Sequence, residues 1–223
     1  MSKLFIVPTP VGNLEDITYR AVRVLEEVDL ILAEDTRKTS ILLKRYELVK
    51  KTLSHHKFNE HKFLTSLTSR IIRGESIALV SEAGTPGISD PGYLLVRECL
   101  RNGIEVEALP GPTAFVPALI ASGLPCDRFC FEGFLPLKKG RQKKLEELRD
   151  ETRTLIFYES PYRVKKSLEQ FARVFGNDRP ACLARELTKI YEEFIRGTLE
   201  EVLEQIKERE IKGECIILVG GKS

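Results

Sequence analysis

Short apolar runs alternate with amphipathic segments along almost the whole chain, and this alternation constrains the fold more than any other feature. Leu4–Val7, Leu30–Ala33 and Ile77–Val80 are apolar at nearly every position, as is typical of strands buried on both faces. Between the first two runs, apolar residues from Ala21 to Val28 recur at the spacing of one helix face. Strands that alternate with helices in this way predict a mostly parallel sheet covered by helices.

The second half of the chain has a different pattern. Several of its predicted strands are joined by links too short for a crossover helix, which indicates antiparallel neighbours and a mixed sheet. We therefore predict an α/β protein of two lobes, divided in a proline- and glycine-rich segment into residues 1–117 and 118–223. The predicted strands of the second lobe are 129–131, 154–158, 181–184, 193–196 and Cys215–Val219.

Composition excludes several classes of protein. The 223 residues are 42% hydrophobic and 30% charged, an ordinary balance for a soluble globular protein. The five cysteines are scattered without a C-x-x-C pair, so neither a disulfide framework nor a metal site is predicted. No apolar run approaches the roughly 20 residues that cross a bilayer, and the N-terminal segment is better interpreted as a strand than as a signal sequence. We expect a cytoplasmic protein without a membrane segment.

Three loops rich in proline and glycine follow predicted strands of the first lobe, at residues 8–13, 81–92 and 110–114. Open α/β sheets bind ligands beyond the carboxyl ends of their strands. One such loop could be a simple turn, but three at aligned strand ends predict a binding site formed by backbone groups. The sequence contains neither G-x-G nor a G-x-x-x-x-G-K-[ST] phosphate loop. These absences favour an uncharged nucleoside or a cationic ligand.

One strongly basic run stands out in a chain whose net charge is only +2. Residues 138–144 carry five positive charges in seven positions. Charge alone leaves two interpretations equally open: a contact with RNA phosphates, or a solvated loop and helix start. The candidate RNA-binding residues are Lys138, Lys139, Arg141, Lys143 and Lys144.

The chain resembles the ribosomal RNA small-subunit methyltransferase I family, which belongs to the tetrapyrrole methylase (class III methyltransferase) superfamily. The resemblance runs in order through nearly the whole chain. It is carried by residues 7–18, 33–37, 81–92, 109–114, 122–125, 131–136, 157–161, 184–189 and 212–214. One position departs from the family pattern, since Glu82 stands where the family usually has aspartate.

The resemblance implies S-adenosyl-L-methionine-dependent 2′-O-methylation of a cytidine ribose in small-subunit ribosomal RNA. It also implies a homodimer, and a cofactor cleft between the two lobes with Pro8 at its floor. Carried onto this sequence, the family's cofactor contacts fall on Pro8, Ser81, Ala83, Gly84, Thr85, Ile88, Thr113, Ala114, Tyr158, Ala184 and Gly213.

Methyl transfer to a ribose hydroxyl would be helped by a base that accepts the hydroxyl proton. Glu34, Asp35 and Glu186 are the candidates, although Asp35 could instead cap a helix and Glu186 could simply be ion-paired. Arg37 and Lys189 could hold a phosphate. Three rival functions remain open at this point: methylation of a tetrapyrrole or another small molecule, a ribosome assembly factor without catalysis, and a nucleotide-binding regulator.

Overall fold

The structure, a computed structural model, describes residues 3–57 and 59–222. The chain divides into two compact units, and it passes from the first to the second between Thr113 and Ala114. The predicted boundary after residue 117 lies four residues farther along, inside the first helix of the second unit.

The first unit is built on a five-stranded sheet in the order β3-β2-β4-β1-β5, and all of its paired strands are parallel. This confirms the parallel sheet predicted for the first lobe. The registers place Leu4 opposite both Ile77 and Val106, so β1 lies between β4 and β5. The strands are β1 Leu4–Val7, β2 Leu30–Ala33, β3 Thr52–Ser54, β4 Ile77–Val80 and β5 Val106–Ala108.

Helices cover both faces of this sheet, as the apolar strands require. One core cluster contains Val7, Leu25 and Ile31, and a second contains Leu4, Leu67 and Leu95. Because side chains alternate along a strand, consecutive residues of β1 and β2 supply the two clusters. The helices of this unit are α1 Tyr19–Glu27, α2 Thr36–Arg45, α3 Glu60–Ile72 and α4 Tyr93–Arg101.

The second unit contains a mixed five-stranded sheet in the order β6-β7-β10-β8-β9. β6 and β7 are parallel, whereas β10 runs antiparallel to β7 and β8, and β8 forms an antiparallel hairpin with β9. This confirms the mixed sheet. The strands are β6 Phe129–Phe134, β7 Thr154–Glu159, β8 Pro180–Arg185, β9 Glu193–Thr198 and β10 Cys215–Val219, and the helices are α5 Phe115–Ser122, α6 Arg141–Glu147, α7 Val164–Phe175 and α8 Leu199–Ile206.

Three of these elements, β3, α5 and α8, are not predicted by the sequence pattern, and α6 begins where a solvated loop and helix start is one of the two interpretations of the basic run. β3 has only three residues, all half-buried, and α6 begins within the basic run and ends three residues beyond it. α8 did carry a sequence signal, because Thr198 and Glu201 form a capping box at its start. Among the described residues, no helix is long and apolar enough to span a membrane.

Candidate functional site

Three loops converge at one edge of the first sheet because β4, β1 and β5 are parallel neighbours. Thr9 and Gly84 exchange two backbone hydrogen bonds of 2.9 Å, which join the first loop to the second. The Thr85 hydroxyl donates to the Pro112 carbonyl at 2.9 Å and joins the second loop to the third. The convergence expected from the sequence is therefore present, and the loops brace one another.

Two glycines permit this close packing. Gly84 has a φ of 79°, in the left-handed region that glycine enters without strain. A Cβ atom on Gly111 would lie 2.7 Å from Cβ of Pro8, much closer than carbon atoms normally approach. The first and third loops are thus in contact through a position that only glycine fits.

Several side chains predicted to contact a cofactor instead form hydrogen bonds within these loops or are buried in them. The Ser81 hydroxyl, in a residue only 5% exposed, donates to the Gly84 carbonyl at 2.9 Å. The Thr85 hydroxyl is used in the same way, and Pro8 is buried. Ala83 and Thr113 are half-buried, and Ile88 is 37% exposed. A ligand at this edge would therefore meet mainly backbone N–H and C=O groups and the outer face of Ile88.

The remaining predicted cofactor residues lie in the second unit. Tyr158 and Ala184 lie near the carboxyl ends of β7 and β8, and Gly213 precedes β10. Ala184 is fully buried, whereas Tyr158 is half-buried and its ring centroid lies 5.5 Å from that of Phe134. Ala114 is the residue before α5. Tyr158, Ala184 and Gly213 share the end of the sheet at which β7 and β8 leave it.

A polar depression lies beyond β2 and β3 in the first unit. Its lining residues are Glu34, Asp35, Thr36, Arg37, Ser54, His56, Lys57 and Glu82. Asp35 caps α2 by accepting the Arg37 backbone N–H at 2.9 Å, and its carboxylate also binds the Arg37 guanidinium. These hydrogen bonds lower the pKa of Asp35 to about 2. Asp35 is a candidate for either a proton acceptor or a helix cap, and its hydrogen bonds are those of a helix cap.

Glu34 is in a different situation from its neighbour. It is half-buried, and among the residues that the structure describes its carboxylate has no hydrogen-bond or ion-pair partner. Asp90 is not among the candidates from the sequence, but it lies close enough to Glu34 for the Glu34 charge to affect its pKa. Burial and then the negative charge of Glu34 raise the pKa of Asp90 to about 6. Only tertiary packing brings these two carboxyl groups together.

Glu82 forms an ion pair with Lys38 of α2 and also lines the depression. It is the position where the chain departs from the family's aspartate. The extra methylene of glutamate lengthens its reach, and here the longer side chain extends to a helix that follows a different strand. Glu82 therefore links the β4 loop to α2.

The Glu186 carboxylate is hydrogen-bonded within the second unit. It accepts hydrogen bonds from Lys189 Nζ at 2.9 Å and from the Glu214 backbone N–H at 3.0 Å. Burial raises the pKa of Glu186, but these two donors outweigh burial and leave the pKa below its ordinary value. Its side chain also fills the space that a Cβ atom on Gly213 would need. Glu186 and Lys189 thus anchor the turn before β10.

The basic run does not act as a single surface. Arg141 is only 8% exposed and donates to Ser167, Gln170 and Glu159 in the core of the second unit, so its predicted phosphate contact is wrong. Lys144 is paired with Glu132 at 2.8 Å, and the exposed Lys143 lies 3.9 Å from Glu147. Lys138 and Lys139 are exposed. Lys138 and Lys139 therefore remain the RNA-binding candidates, because nearby glutamates partly neutralise the charges of Lys143 and Lys144.

No group of three or more histidine, cysteine or acidic side chains with metal-binding geometry occurs in the part of the chain that the structure describes. The cysteines are reduced in this structure, and the pKa of the buried Cys215 thiol is raised to about 12 by burial. Cys99, Cys182 and Cys215 are buried in the core, whereas Cys130 is half-buried and Cys126 is exposed.

Comparison with known proteins identifies close relatives along the whole chain. The model of the Tetrapyrrole (Corrin/Porphyrin) Methylases family matches residues 3–203. The chain is 46% identical to "Ribosomal RNA small subunit methyltransferase I" of Thermotoga maritima, covering 100% of both chains. It is 51% identical to the protein of the same name from Escherichia coli O157:H7, covering 98% of this chain and 78% of the relative.

Solved structures agree on the fold. A diphthine synthase matches with a TM-score of 0.76 at 14% identity, over 99% of this chain and 90% of the other. Uroporphyrin-III C-methyltransferase from Thermus thermophilus, complexed with S-adenosylhomocysteine, matches with a TM-score of 0.67 at 21% identity, over 98% and 97% of the two chains. At these identities the likeness concerns the fold alone.

Proposed function

Because the chain belongs to the ribosomal RNA small-subunit methyltransferase I family of the tetrapyrrole methylases, we propose that it methylates small-subunit ribosomal RNA, using S-adenosyl-L-methionine, at the 2′-oxygen of a cytidine ribose. The observation that carries this proposal is the 46–51% identity to relatives of that name over essentially the whole chain. Tetrapyrrole methylation is the weaker candidate, since the uroporphyrin enzymes are only 21–22% identical.

The loops of the first unit suit the proposed cofactor. Gly84 adopts a left-handed φ and Gly111 lets the third loop pack directly on Pro8, so the loops are tightly held and the Ser81 and Thr85 hydroxyl groups are already satisfied within them. S-adenosyl-L-methionine, when bound, supplies a methyl group activated by a positive sulfonium, which backbone carbonyls can solvate. We propose that loops 8–13, 81–92 and 110–113 hold it. Ala114, Tyr158, Ala184 and Gly213 of the second unit stay the further cofactor contacts that the family resemblance implies.

The protein's part in the reaction is to align the reacting groups and to accept a proton. Alignment by rigid loops can contribute several kcal/mol to the rate. We propose Glu34 as the proton acceptor, because Asp35 is committed to its helix cap and Glu186 to Lys189 and the Glu214 N–H. Arg37 and Lys57 line the same depression as Glu34 and could neutralise a nearby phosphate.

The assignment of the base is tested by amide substitutions. Glu34→Gln should lower the methyl-transfer rate by about 10²- to 10⁴-fold while the affinity for S-adenosylhomocysteine stays unchanged. Glu186→Gln is the matched control and should change the rate far less. A large loss in Glu186→Gln with little loss in Glu34→Gln would reverse the assignment.

The function itself is tested with labelled S-adenosyl-L-methionine and three acceptors: unmodified small ribosomal subunits, naked small-subunit RNA and uroporphyrinogen. Label recovered as 2′-O-methylcytidine is the expected result. Label on the tetrapyrrole alone would favour the weaker candidate, and no label on any acceptor would favour an assembly factor. A ribosomal substrate also implies that the protein acts in the cytoplasm. We further propose that the protein forms a homodimer, and light scattering can test this.

A further inference from the structure

Exposed apolar side chains lie at or just after the ends of β6 and β7 in the second sheet. Tyr162 is 93% exposed, Leu137 is 70% exposed and Phe134 is 56% exposed. β6 and β7 are parallel, with Phe134 opposite Tyr158, so the segments that follow both strands emerge at the same edge. Large side chains exposed to this extent at neighbouring strand ends indicate an interaction surface.

A buried ionic network holds the two emerging segments side by side. Glu159 at the end of β7 accepts hydrogen bonds from Arg141 at 3.2 Å and from Ser167 at 2.6 Å, and Arg163 Nη2 lies 2.8 Å from its other oxygen. Arg141 also donates to the Pro136 carbonyl at 3.4 Å. The network therefore ties the residue before Leu137 to the turn that carries Tyr162. Its members are buried or half-buried, so they fix this surface and leave its outer face to other side chains.

The charge of this surface is positive. Lys138 and Lys139 follow Leu137 directly and are exposed, as is Lys166 beyond the turn. Two acids at these strand ends are already neutralised, since Glu132 is paired with Lys144 and Glu159 with its two arginines. An exposed aromatic ring beside unneutralised lysines is the combination that binds single-stranded nucleic acid, where bases stack on rings and phosphates contact cations.

We propose that Phe134, Leu137, Lys138, Lys139 and Tyr162 form a base platform for an unpaired stretch of the substrate RNA. A base stacks on the ring of Tyr162, and Lys138 and Lys139 contact the adjoining phosphates. This inference rests on the proposed function in taking RNA as the partner. A second copy of the chain fits less well, because a two-fold contact centred here would bring the same lysines of two copies together.

The test compares a single-stranded oligouridylate with an abasic chain of equal length. Tyr162→Ala should weaken oligouridylate binding by about 5- to 150-fold and leave binding of the abasic chain unchanged. Tyr162→Phe, which keeps the ring, should bind within about twofold of the wild type. Tyr19→Ala, at a tyrosine of the first unit that is 98% exposed, is the matched control and should have no effect.

The lysines are tested by salt dependence. Lys138→Ala with Lys139→Ala should weaken binding of both chains and reduce the salt slope of log K by about 1.4, from roughly 0.7 for each phosphate contact to single strands. Lys62→Ala, an exposed lysine of α3, is the control. An unchanged slope would overturn the phosphate contacts.

The platform and the proposed function fail in different ways. Unchanged oligouridylate affinity in Tyr162→Ala overturns the platform, even if the wild-type protein methylates ribosomal RNA. The same holds if this variant instead changes the oligomeric state. Base-dependent loss of affinity supports the platform, even if the wild-type protein transfers no methyl group to RNA.

Discussion

The contact between Gly111 and Pro8 offers a sharp test of how the cofactor loops are held. In Gly111→Ala the new Cβ would lie 2.7 Å from Pro8 Cβ and 3.0 Å from Pro8 Cγ, whereas carbon atoms normally stay about 3.5–4.0 Å apart. The loops must therefore separate by about 1 Å. Proline cannot rotate its ring away, so the backbone has to move.

The loss of folding free energy in Gly111→Ala comes from the steric clash and not from backbone strain, because Gly111 does not have a positive φ. Overpacking of this kind costs about 1–3 kcal/mol. The alanine also restricts the unfolded chain, which offsets about 0.4–1 kcal/mol. We expect a net loss of about 0–2.6 kcal/mol in the free energy of unfolding. The methyl-transfer rate should be about 10²-fold lower because the loops are displaced.

Urea unfolding and single-turnover methyl transfer measure the two effects. Gly103→Ala is the contrasting variant, because Gly103 has a φ of 69° and no described atom lies within 4 Å of its Cβ position, so it introduces backbone strain and no clash. Pro8→Gly removes the atoms that clash, so Gly111→Ala should cost much less in that background. An equal cost in both backgrounds would refute the steric reasoning.

Two further predictions concern buried charge. Glu159→Ala should lower the free energy of unfolding by about 3–5 kcal/mol, because it leaves the Arg141 guanidinium buried without its carboxylate. Glu147→Ala, at an exposed acid, should change it little in the same urea titration. The pKa of Asp90, raised to about 6, means that the folded state binds the proton more tightly than the unfolded state. The free energy of unfolding should therefore fall as the pH rises from about 4 to about 6, and Asp90→Asn should remove that part of the decrease; an identical pH profile in the variant would contradict it.

Much of the fold could be predicted from the sequence because its signals are local. The strands of the first unit are nearly continuous apolar runs, and the short links of the second unit require antiparallel pairs. Proline and glycine after β1, β4 and β5 marked the loops that converge. Elements without a distinctive local pattern are not predicted or stay ambiguous: β3 has three residues, and α6 begins with Arg141, inside a basic run whose charge fits either an RNA contact or a solvated loop and helix start.

The sequence by itself determined the family, the two kinds of sheet and the sheet edge at which the loops meet, because apolar periodicity and backbone-restricting residues act over a few positions. Only the tertiary structure decided how individual charges are used. Asp35 is a helix cap, Glu186 anchors a turn, and Arg141 is buried against Glu159. A charged side chain's role depends on partners that lie far away in the sequence, since hydrogen bonding and desolvation are set by whatever the fold brings within a few ångströms.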